Sequence, residues 1–285
     1  MDDFISALVN HSFIRNALVA GLLSSVLFGV LGTLVTVRRI ASLAGAVSHA
    51  VLGGIGMALF FTASGTKFSP LAGAFIFAIL SAGIIALVSL KAKQREDTVI
   101  NAIWVIGMSA GLLFMAKTPG YTDPGVYLFG NILLISQRDL LLMGVLDILV
   151  IFLTWRFFPQ IEASAFDDEF ARLRGVPSNV VFVVLLMITA LAIVLLQTYV
   201  GIVMVIAMLT LPSGTSGSFS ASLGSMMIWS CIFSALFSVS GLFFGWIMDT
   251  PVGATTVIIA GFFFLGTTAF KALFPLRGGN TKPGQ

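Results

Sequence analysis

Few side chains in this sequence can hold a cation or carry charge in an apolar setting. His49, Asp147 and Asp249 lie in or beside long apolar runs, with Asn101 and Asn131 as amide candidates. Imidazole and carboxylate are zinc ligands, whereas manganese favours oxygen with some imidazole. An ionisable group at such a position is costly unless it has a partner or a task. His49, with Ser48 beside it, is the strongest candidate for contact with a metal. The plainer reading of His49 is a hydrogen-bonded packing histidine. Asp147 follows Asp139 by about two helical turns and is a functional candidate by default, though packing against a polar neighbour explains it equally well. Asp249 precedes Thr250 and Pro251, which reads first as a helix N-cap with proline near the first turn. Lining the mouth of a pathway is the alternative. Asn131 follows Phe129 and Gly130 and suits either a gate or a turn. The 11 methionines are scattered and read as core filling rather than a copper lattice. The single Cys231 excludes an internal disulfide and reads as a small packing residue.

The elements that must position these groups follow from composition. Of 285 residues, 58% are hydrophobic and only 9% charged, and mean hydropathy is +1.07. Soluble domains carry roughly 25% charged residues, so a surface this poor in charge belongs in lipid. A spanning helix needs roughly 20 apolar residues. Uncharged runs of that size recur at 17–37, 68–90, 98–116 and 250–270, and 175–248 lacks charge and histidine throughout. Lipid offers backbone groups no partners, so such continuous runs must be helices; a barrel would alternate. The fold class is therefore all-α, a polytopic transmembrane helical bundle of about nine spans (eight to nine). The expected spans are 14–37, 41–63, 69–90, 98–116, 139–157, 177–197, 199–220, 224–247 and 252–272. Segment 118–137 is expected to form a loop with a short helix, with a re-entrant form as one option. The transmembrane domain is expected over 1–275, and 276–285 is a basic tail expected to be disordered. Met1-Asp2-Asp3 lacks the basic start of a cleaved signal, so the first apolar run is expected to be retained.

Basic residues give the bundle a direction. Arg38, Arg39, Lys91, Lys93, Arg95, Arg156, Arg172, Arg174, Lys271, Arg277 and Lys282 fall at one end of nine alternating spans. Only Arg15, Lys67, Lys117 and Arg138 fall at the other. The richer end is expected to be cytoplasmic, with the N-terminus outside and the C-terminus inside. The net charge of +3 reflects this bias and carries no implication of nucleic acid.

The longest hydrophilic segment between spans, 159–175, then lies in the cytoplasm. Ala163, Phe166, Phe170 and Leu173 fall at helical spacing, and Asp167, Asp168 and Glu169 precede Arg172 and Arg174. That order suits a helix dipole and i,i+4 pairing, and Gly175 and Pro177 end the pattern. It reads as one short helix, either a plain connector or a docking element. The many glycines within spans, as at Gly53, Gly54, Gly56, Gly107, Gly111, Gly241 and Gly245, read as close helix packing.

Several blocks in order resemble the metal-ion permease family of ABC importers, the zinc, manganese and iron uptake branch. They are RRIASLAGAVSHAVLGGIGMAL, REDTVINAIWVIGMSAGLL, VYLFGNILLIS, FDDEFARLRGV, YVGIVMVIAMLTLP and DTPVGATTVIIAG, spread over about residues 14–270. The resemblance implies a type II ABC-importer permease that is not itself an enzyme. It implies a homodimer, two copies of an ABC ATPase subunit, and an extracytoplasmic metal-binding protein. The location implied is the cytoplasmic (inner) membrane of a bacterium. No resident cofactor is expected; the divalent metal, zinc or manganese, with iron as a third option, is cargo. The chain has no phosphate loop, so ATP enters only through the partner subunit. The resemblance further implies that segment 163–175 is the coupling helix gripping the ATPase, through Phe166, Asp167, Asp168, Glu169, Phe170, Ala171, Arg172 and Gly175. Many family members carry an aspartate four residues before the histidine matched by His49. Here that position is Gly45. Asn101 or a symmetry-related His49 are the candidates to replace it. A permease for a metal chelate such as cobalamin, haem or a siderophore, or a stand-alone secondary transporter, are the rival readings.

Overall fold

A computed structural model describes residues 2–91, 96–120, 123–130 and 132–273. Lys93, Arg95, Asn131, Arg277, Lys282 and the 276–285 tail lie outside the described residues. In chain order the helices are α1 (Asp2–Asn10), α2 (Ser12–Val37), α3 (Ala41–Ala63), α4 (Pro70–Lys91), α5 (Glu96–Lys117) and α6 (Pro124–Phe129). A 3₁₀ turn, Ile132–Leu134, leads to α7 (Gln137–Arg156), α8 (Phe158–Phe166) and α9 (Asp168–Leu173). The chain continues as α10 (Ser178–Val200), α11 (Ile202–Gly217), α12 (Leu223–Met248) and α13 (Val252–Leu273). Every described element is helical, as backbone without water requires.

Seven helices are long and apolar enough to cross a membrane: α2, α3, α4, α5, α10, α12 and α13. The pair α7 and α8, bent by 75° at their junction, gives an eighth. The expected ninth crossing, 199–220, is α11, which has only 16 residues. At 1.5 Å per residue it reaches about 24 Å, less than the roughly 30 Å hydrocarbon layer. It still connects the two ends of the bundle. Its start adjoins that of α13, where a Cβ on Gly253 would stand 3.2 Å from the Val200 carbonyl oxygen. Beyond its far end, the Ser218 carbonyl accepts a hydrogen bond from Lys271 at the end of α13.

Close helix contacts rest on glycine. A Cβ on Gly56 would stand 2.4 Å from the Gly111 carbonyl oxygen, and one on Gly54 would stand 2.2 Å from that of Gly73. These pairs press α3 against α5 and α4. Gly130 (φ 67°) and Gly201 (φ 86°) bring the end of α6 against the α10–α11 junction. A Cβ on either would lie 2.3 Å from the other strand of backbone, so both the φ and the space demand glycine. Hydroxyls complete the packing: Thr33 bonds Ser230 at 3.0 Å, Ser216 bonds Ser230 at 2.7 Å and Thr36 bonds Ser213 at 2.6 Å. Such bonds between spans contribute about 0.6 kcal/mol each.

α3 is the most enclosed span, with 83% of its apolar window buried, against 22% for α5 and 17% for α13. The element carrying His49 is therefore the centre of the molecule, and α5 covers it on one side only.

Candidate functional site

His49 sits on α3 with 8% of its surface exposed, and its Nδ1 is buried with no hydrogen-bond partner among the described residues. The plain packing histidine, satisfied by a neighbour, is thus not what the fold holds at this nitrogen. The ring is instead stacked on Trp104 of α5, with centroids 4.6 Å apart and planes inclined by 22°. One turn earlier, a Cβ on Gly45 would stand 2.6 Å from Trp104 Cζ3. The missing side chain at residue 45 makes room for the indole that covers the imidazole.

The other candidates do not gather around His49. Asn101 is exposed on α5, and no hydrogen bond links it to His49 among the described residues. Asp147 is 5% exposed on α7, and neither carboxylate oxygen has a hydrogen-bond partner among the described residues. α7 packs mainly on α2, whereas α3 packs mainly on α5 and α4. Among the described residues, no three His, Cys, Asp or Glu side chains lie together as a metal site. Asp249 differs from the N-cap reading. It ends α12 in the left-handed region (φ 51°, ψ 48°), with its N–H donated to the Gly245 carbonyl. Aspartate tolerates that conformation, and Pro251 then separates it from α13, which begins at Val252. Asn131 lies outside the described residues.

The hydrophilic segment is two helices rather than one. Asp167 leaves helical geometry (φ −146°, ψ 99°), and its carboxylate accepts the Phe170 N–H at 2.9 Å. It caps α9 and so breaks the segment after Phe166. Asp168 accepts from Arg172 one turn on, and also from Arg38 at 3.1 Å. Arg38 follows the last residue of α2. Its Nη2 also donates to the Ser164 carbonyl at 2.8 Å, and its guanidinium lies 5.6 Å from the Phe182 ring centre. Burial lowers the Arg38 pKa below its ordinary value, and Asp168 partly offsets this. Ala171 is buried and anchors α9, while Glu169 is exposed. Phe166, Phe170 and Leu173 are 67%, 50% and 87% exposed. Arg174 stands 5.2 Å from the Phe170 ring centre, and Gly175 turns the chain at φ 79°. The result is an apolar and acidic knob on a pinned short helix.

Sequence reasoning missed Trp104 and Arg38. Gly45, one turn from the only histidine in a span, was the available sign of a large neighbour. Nothing local distinguished Arg38 from Arg39.

The fold is that of a multi-pass integral membrane permease of the type II ABC-importer kind. Residues 10–271 match the ABC 3 transport family, and the chain belongs to that family. It is similar to an uncharacterized membrane protein of Synechocystis, 33% identical over 92% of each chain. It is 30% identical to the manganese transport system membrane protein MntC of Listeria monocytogenes, covering 92% of this chain and 91% of that one. Among solved structures, PsaBC of Streptococcus pneumoniae in complex with Fab superposes with a TM-score of 0.83. There the identity is 28%, covering 95% of this chain and 99% of that one. Membership in this family makes the chain a transport subunit without catalysis of its own, working with an ATPase and a binding protein.

Proposed function

We propose that the chain moves a divalent metal ion, zinc, manganese or iron, across the cytoplasmic membrane as the permease of an ABC importer. The observation that carries this reading is the buried, unpartnered Nδ1 of His49 in the most enclosed span. An imidazole nitrogen without a protein partner there suits brief contact with a passing cation. Weak ligation fits transport, because the ion must leave again. The name of the Listeria relative favours manganese, while an imidazole without a carboxylate beside it suits zinc or iron as well.

In this reading two copies of the chain enclose the pathway, and each presents α9 to one ATPase subunit. Phe166, Glu169 and Phe170 form the gripped surface; Asp167, Asp168, Ala171, Arg172 and Gly175 shape and anchor it. Arg38, Arg39, Lys91, Arg156, Arg172, Arg174 and Lys271 support a cytoplasmic assignment for this end. Asn101, Asp147, Asp249 and Asn131 remain pathway candidates in the dimer.

The test is ATPase activity and metal uptake in proteoliposomes holding permease, ATPase and binding protein. Zinc, manganese or iron is expected to stimulate both. Stimulation by a corrinoid or haem, with none by the three metals, overturns the reading.

A further inference from the structure

A cavity of about 610 Å³ opens where α2 turns into α3, beside α9 and the start of α10. Arg38, Arg39 and Arg172 line it, against Asp168 as the acidic side chain in its wall. Among the described residues three guanidinium groups face one carboxylate, so this part of the wall is electropositive. The Arg38 side chain is only 8% exposed. Its Nη2 is used by Ser164 and Asp168, but its Nη1 is buried with no partner among the described residues. Ser178, 1% exposed and also in the wall, has an Oγ with no partner among the described residues. Ser178 is the first residue of the 23-residue α10, and Pro177 before it supplies no side-chain cap. The positive end of a long helix thus adds to the same wall.

Each feature has the same missing complement. Buried donors want an acceptor, and an excess of guanidinium wants an anion. Guanidinium and hydroxyl donors around a helix N-terminus match tetrahedral phosphate oxygens. Leu90 and Phe182 also line the cavity, at the ends of spans, where a headgroup would lie with its chains in the bilayer.

We propose that this cavity binds a phosphate-bearing anion, either an anionic phospholipid headgroup or free phosphate, through Arg38, Arg39, Arg172, Ser178 and the start of α10. The bound anion would join the partners of Asp168 to the ends of α2 and α10. It would thereby stiffen α9 against the bundle.

The experiment uses the purified full chain, delipidated in neutral detergent. Native mass spectrometry and the unfolding midpoint are followed with added phosphatidylglycerol, with phosphatidylcholine, or with inorganic phosphate against chloride at equal ionic strength. Retention of phosphatidylglycerol and a raised midpoint identify a headgroup site; the same response to phosphate alone identifies a free-anion site. Arg39→Asn tolerates the left-handed backbone that Arg39 adopts (φ 57°), and Ser178→Ala removes one hydroxyl. Each is expected to weaken binding about tenfold, as for loss of one charge-assisted bond. Arg156→Gln, which removes a cation outside the cavity, is expected to leave binding unchanged. No response to either phosphate source overturns the proposal. So does an equal loss in Arg156→Gln and Arg39→Asn, because binding would then be diffuse attraction to a basic surface.

Discussion

Trp104 covers His49 face to face at 4.6 Å and occupies the space beside Gly45 that a side chain there would need. The three residues form one packing unit across α3 and α5. A carboxylate at position 45 and the present indole position exclude each other, since even the Cβ would stand 2.6 Å from the ring.

Gly45→Ala is therefore expected to destabilise the chain by about 1–3 kcal/mol, the usual cost of overpacking. Trp104→Leu in the same chain should recover most of that loss. Thermal unfolding of the two single variants and the double variant measures the coupling. Additive effects would mean that the two sites do not share this space.

His49→Ala is expected to reduce metal-stimulated uptake at least tenfold while lowering stability by about 1–3 kcal/mol through the cavity it leaves. Removing a buried nitrogen that bonds to nothing gives up no hydrogen bond and offsets part of the lost stacking. Uptake and unfolding midpoint are measured on the same preparation. Normal uptake in the variant would leave His49 as a packing residue.

Phe170→Ala and Glu169→Ala remove exposed groups from α9, so the unfolding midpoint should stay within about 0.5 kcal/mol of the parent. ATPase association, measured by co-purification and by binding affinity, should fall, with the aromatic change costing about 2 kcal/mol or more if Phe170 is an anchor. Unchanged association would reduce α9 to a connector between spans.

Glycines within the spans should divide by their surroundings. Gly111→Ala places a Cβ 2.7 Å from the Leu52 carbonyl oxygen and is expected to cost about 1–3 kcal/mol. Gly144→Ala meets nothing within 4 Å on α7 and should be neutral, or stabilising by about 0.5–1 kcal/mol through helix propensity. Unfolding in detergent distinguishes the two, and equal effects would discount the close approach of α3 and α5.

Much of the fold was legible because its cause is local. A continuous apolar run has to be a helix in lipid wherever it packs, so most expected span boundaries fall within a few residues of α2, α3, α4, α5, α10, α12 and α13. The segment at 199–220 was legible as apolar, but its helical length was not. Gly201 starts α11 late and Ser218 closes it early, leaving 16 residues. The site was less legible. Helical spacing joined Phe166 to Phe170 on paper, but competition between the Asp167 carboxylate and the helix backbone for the Phe170 N–H split them.

Composition and order alone determined that this chain lives in a bilayer, which end carries the positive charge and which family it resembles. Those properties are sums over residues or runs of neighbours. Only the tertiary structure decided that Trp104 fills the place beside Gly45, that Arg38 reaches Asp168, and that Asp249 closes α12 instead of opening α13. Residues 45 and 104, and 38 and 168, are far apart in the chain. Glycine contacts between backbones set the α3–α5 separation that brings the first pair together, and no local pattern records which side chains the packed helices bring opposite.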